Sequence, residues 1–278
     1  MNESEEQQPM PVKRVRGTRR ARARQIVAAR LEKLEDLSIS KLVPSTLTLL
    51  GLCSGATAIR FALVADWHTA VACVVLAMIF DMLDGRAARM FGADTRFGAQ
   101  LDSLADLVSF GVAPGVIMYV WSLSRMGAGG WIAALIFCAC SAIRLARFNV
   151  ESADHDAQPT GYFTGVPTPA AACLILLPML LGFQFKGDAF SHPWLSAAMI
   201  ALMSWLMISR VPTLSLKRVQ VPARLKGPMI VVAIALLGSA LLWPWATLTI
   251  GLIVYLASIP FGIAAAAEMR RHPPEVEN

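Results

Sequence analysis

Five aspartates lie close together in one segment of a chain that is otherwise strongly apolar. The segment is residues 79–106, IFDMLDGRAARMFGADTRFGAQLDSLAD, and its carboxylates are Asp81, Asp84, Asp94, Asp102 and Asp106. Spacings of three and four place the first two aspartates on one helical face and the last two on another. The first pair ends one apolar helix and the last pair begins the next, so four carboxylates can line one cavity.

Four carboxylates in a poorly hydrated cavity need compensating positive charge, because burying each negative charge is costly. Oxygen ligands without a nearby His or Cys favour hard cations, here Mg²⁺, Mn²⁺ or Ca²⁺. Two divalent ions would balance four carboxylates, and such pairs of ions suit phosphoryl transfer. Asp94 lies in the loop between the helices and is interpreted as a solvated or capping residue.

The residues around the aspartates fit a phosphate ligand. Gly85 follows Asp84 directly and lets a ligand approach the backbone closely, and Arg89, one turn further on, can hold a phosphate. Gly98 opens the next helix at a point where a bulky side chain would crowd its neighbour. Two alternatives stay open: ion pairs between the aspartates and the neighbouring arginines, and the proton or cation pathway of a transporter.

The helices that carry these residues are predicted to cross a membrane. The chain has 278 residues, of which 56% are hydrophobic and 16% charged, and its mean hydropathy is +0.56. This composition excludes an ordinary soluble domain. Eight apolar segments of spanning length predict an all-α polytopic bundle, at about 44–65, 70–90, 97–122, 129–149, 166–185, 193–209, 227–243 and 245–267.

The distribution of basic residues predicts the orientation of this bundle. Most of the 25 Lys and Arg precede the first span or lie in alternate connections after it. By the positive-inside rule, both termini and the aspartates face the cytoplasm, in the cell (inner) membrane. Tryptophans, which favour membrane interfaces, mark the opposite ends of the spans: Trp67, Trp121, Trp131, Trp194, Trp243 and Trp245.

Four regions follow from these patterns. Residues 1–24 form a basic arm, expected to be disordered and to meet anionic lipids. Residues 25–43 form an amphipathic juxtamembrane helix, for which packing on the protein's own core is the alternative. Residues 44–267 form the transmembrane catalytic domain, and 268–278 a cytoplasmic tail. Nucleic acid is not an expected partner, and the five cysteines and four histidines lack the spacing of a zinc or redox site.

The aspartate segment also carries a specific resemblance. It matches the pattern D-x-x-D-G-x-x-A-R-x8-G-x3-D-x3-D throughout, with fixed positions at Asp81, Asp84, Gly85, Ala88, Arg89, Gly98, Asp102 and Asp106. This pattern is identified as that of the CDP-alcohol phosphotransferase family. The resemblance implies a membrane-embedded homodimer with a six-helix core, two divalent ions, and a CDP-linked donor bound at the motif.

The resemblance further implies the role of each residue. Asp81, Asp84 and Asp102 would be metal ligands, and Asp106 would be both a ligand and the general base. The residues implied to bind the donor, CDP-diacylglycerol, are Thr48, Gly85, Ala88, Arg89 and Gly98. One departure lies in the first span, where Ser45 replaces the Asn that family members often carry, although Thr48 can still reach the nucleotide.

Two further stretches bear on the acceptor alcohol. CSAIRLARFNV (140–150) and YFTGVPTPAAA (162–172) resemble the bacterial phosphatidylserine synthases of this family. The resemblance implies transfer of the phosphatidyl group to L-serine with release of CMP. Arg144 and Arg147 lie three apart on one face and can hold the serine carboxylate or a phosphate, and Asn149 adds an amide. Contact of both arginines with lipid phosphates is the alternative, as are choline, glycerol 3-phosphate or inositol as acceptors.

Overall fold

The computed structural model describes residues 39–92, 95–153, 163–185, 189–209, 212–213 and 226–271. The predicted arm at 1–24 and the predicted amphipathic helix up to residue 38 lie outside the described residues, as do Asp94 and the last seven residues of the predicted tail. These predictions therefore stay predictions.

Each of the eight predicted spans is helical. In chain order the helices are α1 (Ile39–Leu63), α2 (Trp67–Phe91), α3 (Arg96–Asp106), α4 (Ala113–Trp121), α5 (Ala128–Ala153), α6 (Thr168–Ile175), α7 (Leu177–Phe185), α8 (Pro193–Ile208), α9 (Lys226–Leu242) and α10 (Pro244–Arg271). A π-helical segment (Leu107–Val112) joins α3 to α4, so that these three elements form the third span. Helices α6 and α7 together form the fifth.

The described residues also contain one short β pairing and a 3-10 turn. Strands β1 (Phe163–Thr164) and β2 (Pro212–Thr213) pair antiparallel, with Phe163 opposite Thr213. The 3-10 turn (Leu123–Met126) lies between α4 and α5. These pieces connect helices and do not form a separate layer.

Four helical stretches are long and apolar enough to cross a bilayer: Leu42–Leu63, Phe97–Trp121, Ala128–Val150 and Thr168–Phe185. Three shorter apolar helices accompany them, at Pro193–Ile208, Gly227–Leu242 and Pro244–Pro260. Helix α2 adds a further 25-residue helix whose C-terminal half carries the first aspartate pair. The prediction of an all-helical polytopic membrane bundle is confirmed.

Small residues let the first span approach its neighbours closely. A Cβ atom added to Gly55 would lie 2.5 Å from the Ser109 Oγ of the π-helical segment, so only glycine fits there. The Ser109 hydroxyl donates to the Gly51 carbonyl at 3.2 Å, and Ser54 donates to the Cys73 carbonyl of α2 at 2.8 Å. Close packing with interhelical hydrogen bonds is how apolar helices associate within a membrane.

Specific residues cap the turn between α2 and α3, and this turn sets the two aspartate pairs opposite each other. Gly92 ends α2 in the left-handed conformation with φ +58°, and its N–H donates to the Ala88 carbonyl. Thr95 then caps α3 by accepting from the Gly98 N–H at 3.0 Å. At the far end of α2, Asp66 accepts from Thr69 N–H at 3.2 Å. Hydrogen bonding from the Thr69 side chain, together with this backbone hydrogen bond, lowers the pKa of Asp66.

The third span changes its helical winding directly after Asp106. Ala113 N–H donates to the Val108 carbonyl, five residues back, instead of four. Pro114 follows at once and has no N–H to continue an ordinary helical ladder. The wider turn lets Ser109 reach the first span while Asp106 stays on the face of α3 that meets α2.

The last helix, α10, packs on the bundle, and its tryptophan-bearing end makes several of the contacts. His68 of α2 stacks on Phe183 with ring centroids 4.0 Å apart, and Trp245 of α10 contacts both rings. Gln184 of α7 donates to the Thr249 hydroxyl at 2.6 Å. Further along α10, Leu252 and Ile259 are buried in the main core. Helix α10 is therefore an integral wall of the bundle.

Candidate active site

Three carboxylates converge where α2 meets α3. Asp81, Asp102 and Asp106 each offer one carboxylate oxygen, and these oxygens all lie within 4.8 Å of one another. The antiparallel arrangement of α2 and α3 brings the two ends of the motif together across the capped turn. All three side chains are partly buried, so their negative charges repel each other where little water can screen them.

Asp84 is held apart from the other three carboxylates. Its Oδ2 atom accepts from the Thr48 hydroxyl of α1 at 2.7 Å, and the residue is only 5% exposed. Thr48 also lies 3.1 Å from the Pro44 carbonyl. The Thr48 hydroxyl orients Asp84, and the predicted contact of Thr48 with the nucleotide stays a prediction.

A small inner cavity connects the four aspartates. Its volume is about 10 Å³, and all four carboxylate residues line it together with Thr48 and Ser109. Among the described residues that line this cavity, none is His or Cys. An all-oxygen donor set of this kind suits Mg²⁺, Mn²⁺ or Ca²⁺. The aspartate cluster therefore fits divalent-metal binding, which the sequence predicted.

A larger cleft opens beside the cluster. It has a volume of about 390 Å³, and Asp84 and Asp102 form the wall that it shares with the inner cavity. All five residues predicted to bind the donor line this cleft: Thr48, Gly85, Ala88, Arg89 and Gly98. Ser45, which stands where family members often carry Asn, lines it as well. The space beside Gly85 is open, with nothing within 4 Å of an added Cβ atom.

The structure separates the two arginines that sequence reasoning could not distinguish. The Nη1 atom of Arg144 donates to the Thr168 hydroxyl at 3.1 Å. Arg147 instead donates to the Ile208 carbonyl at 3.1 Å, close to the C-terminus of α8. A cation at this place satisfies a terminal carbonyl and the helix dipole. Arg144 thus links α5 to the start of α6, and Arg147 links α5 to α8.

Asn149 lies on the α3 side of the site. Its amide group and the Ser103 hydroxyl are within hydrogen-bonding distance, at 2.9 Å from Nδ2 and 3.1 Å from Oδ1. Ser103 directly follows Asp102 in α3. Asn149 was predicted to add an amide for the acceptor; in the structure it links α5 to the helix that carries Asp102 and Asp106.

Sequence reasoning missed one buried polar residue that contacts Arg144. Thr168 is fully buried and contacts Arg144 from the start of α6. Its signal was present in the stretch VPTPA, where a hydroxyl lies between two prolines at the start of an apolar run. Thr168 was not among the candidate residues, because no local pattern indicates its contact with Arg144, 24 residues earlier in the chain.

Comparison with known proteins gives consistent results. A family model described as CDP-alcohol phosphatidyltransferase matches residues 41–205. A protein of Mycobacterium leprae named CDP-diacylglycerol–serine O-phosphatidyltransferase is 35% identical over 235 residues, which cover 84% of this chain and 78% of that protein. Proteins with the same name from Helicobacter pylori and Bacillus subtilis are each 35% identical, over 64% and 61% of this chain and 74% and 88% of their own.

The aspartate cluster predicts that divalent cations stabilise the folded protein. In a titration with Mn²⁺, the melting temperature of the purified protein should rise, because a ligand at 100 times its Kd adds about 2.7 kcal/mol of stability. Asp102→Asn should lose most of this rise, since it removes a charged ligand from the cluster. Asp66→Asn is the matched control, because Asn caps a helix as well as Asp does. An equal rise in the Asp102→Asn variant would contradict metal binding here.

Proposed function

The chain belongs to the CDP-alcohol phosphatidyltransferase family, and we propose that it transfers the phosphatidyl group of CDP-diacylglycerol to the hydroxyl of L-serine, with release of CMP. One observation carries this proposal: a cluster of carboxylates opens into a cleft that all the donor-binding residues of the motif line. The names of the relatives support serine as the acceptor. The protein is an enzyme of phospholipid biosynthesis.

The donor binds with its diphosphate in the cleft and its acyl chains in the bilayer. Arg89, which lines the cleft and is exposed to it, pairs with a phosphate oxygen. Gly85 leaves the backbone accessible to the nucleotide. Asp81, Asp102 and Asp106 would hold the divalent metal, with Asp84 kept beside them by Thr48. When bound, two such ions, Mg²⁺ or Mn²⁺, neutralise the diphosphate and the leaving CMP.

Asp106 removes the proton from the serine hydroxyl as that oxygen attacks the phosphorus of the phosphatidyl group. The new bond joins the serine oxygen to phosphorus, and the bond from phosphorus to the oxygen of CMP breaks. Arg89 stabilises the negative charge that develops on CMP. The reaction needs no covalent enzyme intermediate, and phosphatidylserine remains in the membrane.

Arg144 is the cation that we assign to the serine carboxylate. Its helix, α5, packs against α3 and the π-helical segment, which meet at Asp106, so a serine held by its carboxylate at Arg144 presents its hydroxyl toward the general base. Arg147 contacts the end of α8 and does not take part in this proposal. The protein is a multi-pass membrane protein. We further propose that it forms a homodimer in the inner membrane, with its active site and both termini on the cytoplasmic side.

The proposed function predicts which acceptor supports CMP release. Purified protein supplied with CDP-diacylglycerol and Mn²⁺ should release CMP fastest with L-serine, because Arg144 offers a partner for the carboxylate. Choline, glycerol 3-phosphate and inositol are the competing acceptors in the same chromatographic assay. Faster CMP release with any of these would overturn serine as the acceptor. Ion flux in liposomes that needs neither divalent metal nor CDP-lipid, without CMP release, would indicate a transporter.

The assignment of Asp106 as the general base predicts a variant that excess metal cannot restore. Asp106→Asn should lower kcat by about 10²- to 10⁴-fold, the usual contribution of general base catalysis. Raising the Mn²⁺ concentration should partly restore an Asp102→Asn variant, whose defect is in metal affinity, but not Asp106→Asn. CDP binding by calorimetry should persist in both variants. Near-normal turnover of Asp106→Asn would refute the base assignment.

A further inference from the structure

Helix α3 carries Asp102 and Asp106, and one of its sides is open. Phe97 and Leu104 share a face of this helix and are 72% and 62% exposed. On its other sides α3 meets α1, the π-helical segment and α5. The positions of two of the cluster carboxylates therefore depend on the points at which α3 is fixed to these neighbours.

Hydrogen bonds fix α3 near its two ends. At the start of the helix, Thr95 accepts from the Gly98 N–H at 3.0 Å. Directly beyond its end, Ser109 of the π-helical segment donates to the Gly51 carbonyl of α1 at 3.2 Å. Neither contact involves the turn of α3 that carries the two aspartates.

A side-chain hydrogen bond joins that turn to α5. The Nδ2 atom of Asn149 lies 2.9 Å from the Ser103 Oγ, and its Oδ1 atom lies 3.1 Å from the same oxygen. The Ser103 hydroxyl is also 3.0 Å from the Ala99 carbonyl, one turn earlier in α3. Asn149 can therefore donate to the Ser103 oxygen while the Ser103 hydroxyl donates to the backbone of α3. Both side chains are half-buried, so water competes little with this bond.

The place of Ser103 in α3 gives this bond its importance. Ser103 directly follows Asp102 and lies three residues before Asp106, so it is a helical neighbour of both. A bond at Ser103 resists rotation of α3 about its axis and movement of α3 away from α5. Metal binding is sensitive to such movements, since Mg²⁺ requires near-octahedral oxygen ligands at about 2.1 Å. Repulsion between the carboxylates favours their separation when no cation is bound, so a fixed α3 lowers the cost of forming the site.

We propose that Asn149 is a positioning residue of the metal site, which acts through Ser103 to set the oxygens of Asp102 and Asp106 relative to Asp81 of α2. This inference rests on the metal-binding part of the proposed function and deepens it. It assigns the Asn149 amide to the carboxylate cluster, whereas the sequence predicted an amide for the acceptor. The two roles predict different defects, because one concerns the affinity for the metal and the other the affinity for serine.

The test measures the Kd for Mn²⁺ by isothermal titration calorimetry, without nucleotide or acceptor. Asn149→Ala should raise this Kd about fivefold, the worth of one side-chain hydrogen bond. Ser103→Ala should raise it equally, because it removes the other partner of the same bond. In the CMP-release assay both variants should need more Mn²⁺, while the KM for L-serine at saturating Mn²⁺ should stay unchanged.

A matched control removes an interhelical hydrogen bond elsewhere in the bundle. Gln184 of α7 donates to the Thr249 hydroxyl of α10 at 2.6 Å, at the tryptophan-bearing end. Gln184→Ala should lower the melting temperature about as much as Asn149→Ala does, but it should leave the Kd for Mn²⁺ unchanged. An equal rise of this Kd in Gln184→Ala would overturn the inference, because general loosening of the bundle would then explain the effect.

A double-mutant cycle shows whether Asn149 acts through Ser103. The double variant Asn149→Ala with Ser103→Ala should raise the Kd for Mn²⁺ no further than either single change, since both remove one bond. Multiplied effects, an unchanged Kd in the single variants, or a raised KM for L-serine with an unchanged Kd for Mn²⁺ would overturn the inference. A wild-type protein that binds Mn²⁺ through an Asn149-dependent site but releases no CMP with L-serine would overturn the proposed acceptor and leave this inference standing.

Discussion

Placing several carboxylates at the ends of apolar helices costs free energy, and the surrounding helices must hold the carboxylates together against this cost. Asp81, Asp102 and Asp106 bring their oxygens within 4.8 Å of one another in a partly buried position. Mutual repulsion and lost hydration oppose this arrangement, and only positive charge can offset both. Divalent cations would supply that charge, and they would also attract the negatively charged diphosphate of the donor. Repulsion between the carboxylates destabilises the cluster when no cation is bound. The same concentration of negative charge favours the binding of divalent cations, and with them the nucleotide.

The remainder of the bundle holds that cluster in place. Glycines of α1 let the first span lie directly against the π-helical segment that follows Asp106, and Thr48 of the same helix orients Asp84. The capped turn at Gly92 and Thr95 fixes how α2 and α3 return past each other. Three consecutive spans are thus tied together by short contacts around the carboxylates. Helices α5 and α6 pack beside these spans and are joined by the hydrogen bond between Arg144 and Thr168.

Much of this arrangement could be predicted because it is local. Spans follow from runs of apolar residues, and the aspartate motif is a fixed spacing on two adjacent helices, so both were predicted from the sequence. Contacts between distant segments could not be predicted, because no local sequence pattern encodes them. Thr48 and Asp84 are 36 residues apart, and Arg147 and Ile208 are 61 apart. The contact with Ile208 gives Arg147 a different environment from that of Arg144, although the two arginines carry the same charge and lie on the same face of α5. The π-helical winding at Leu107–Val112 was missed for the same reason, because it follows from how the third span packs on the first.

The central claim is that the aspartates hold divalent ions beside the nucleotide, and locating the metal tests it most directly. Crystals of the protein grown with Mn²⁺ and CDP-diacylglycerol would be measured at the manganese absorption edge. The account predicts anomalous peaks bounded by Asp81, Asp102 and Asp106, with the cytidine diphosphate in the adjoining cleft beside Gly85 and Arg89. Nucleotide bound in the cleft with no manganese peak at the carboxylates, or manganese bound elsewhere, would contradict the account.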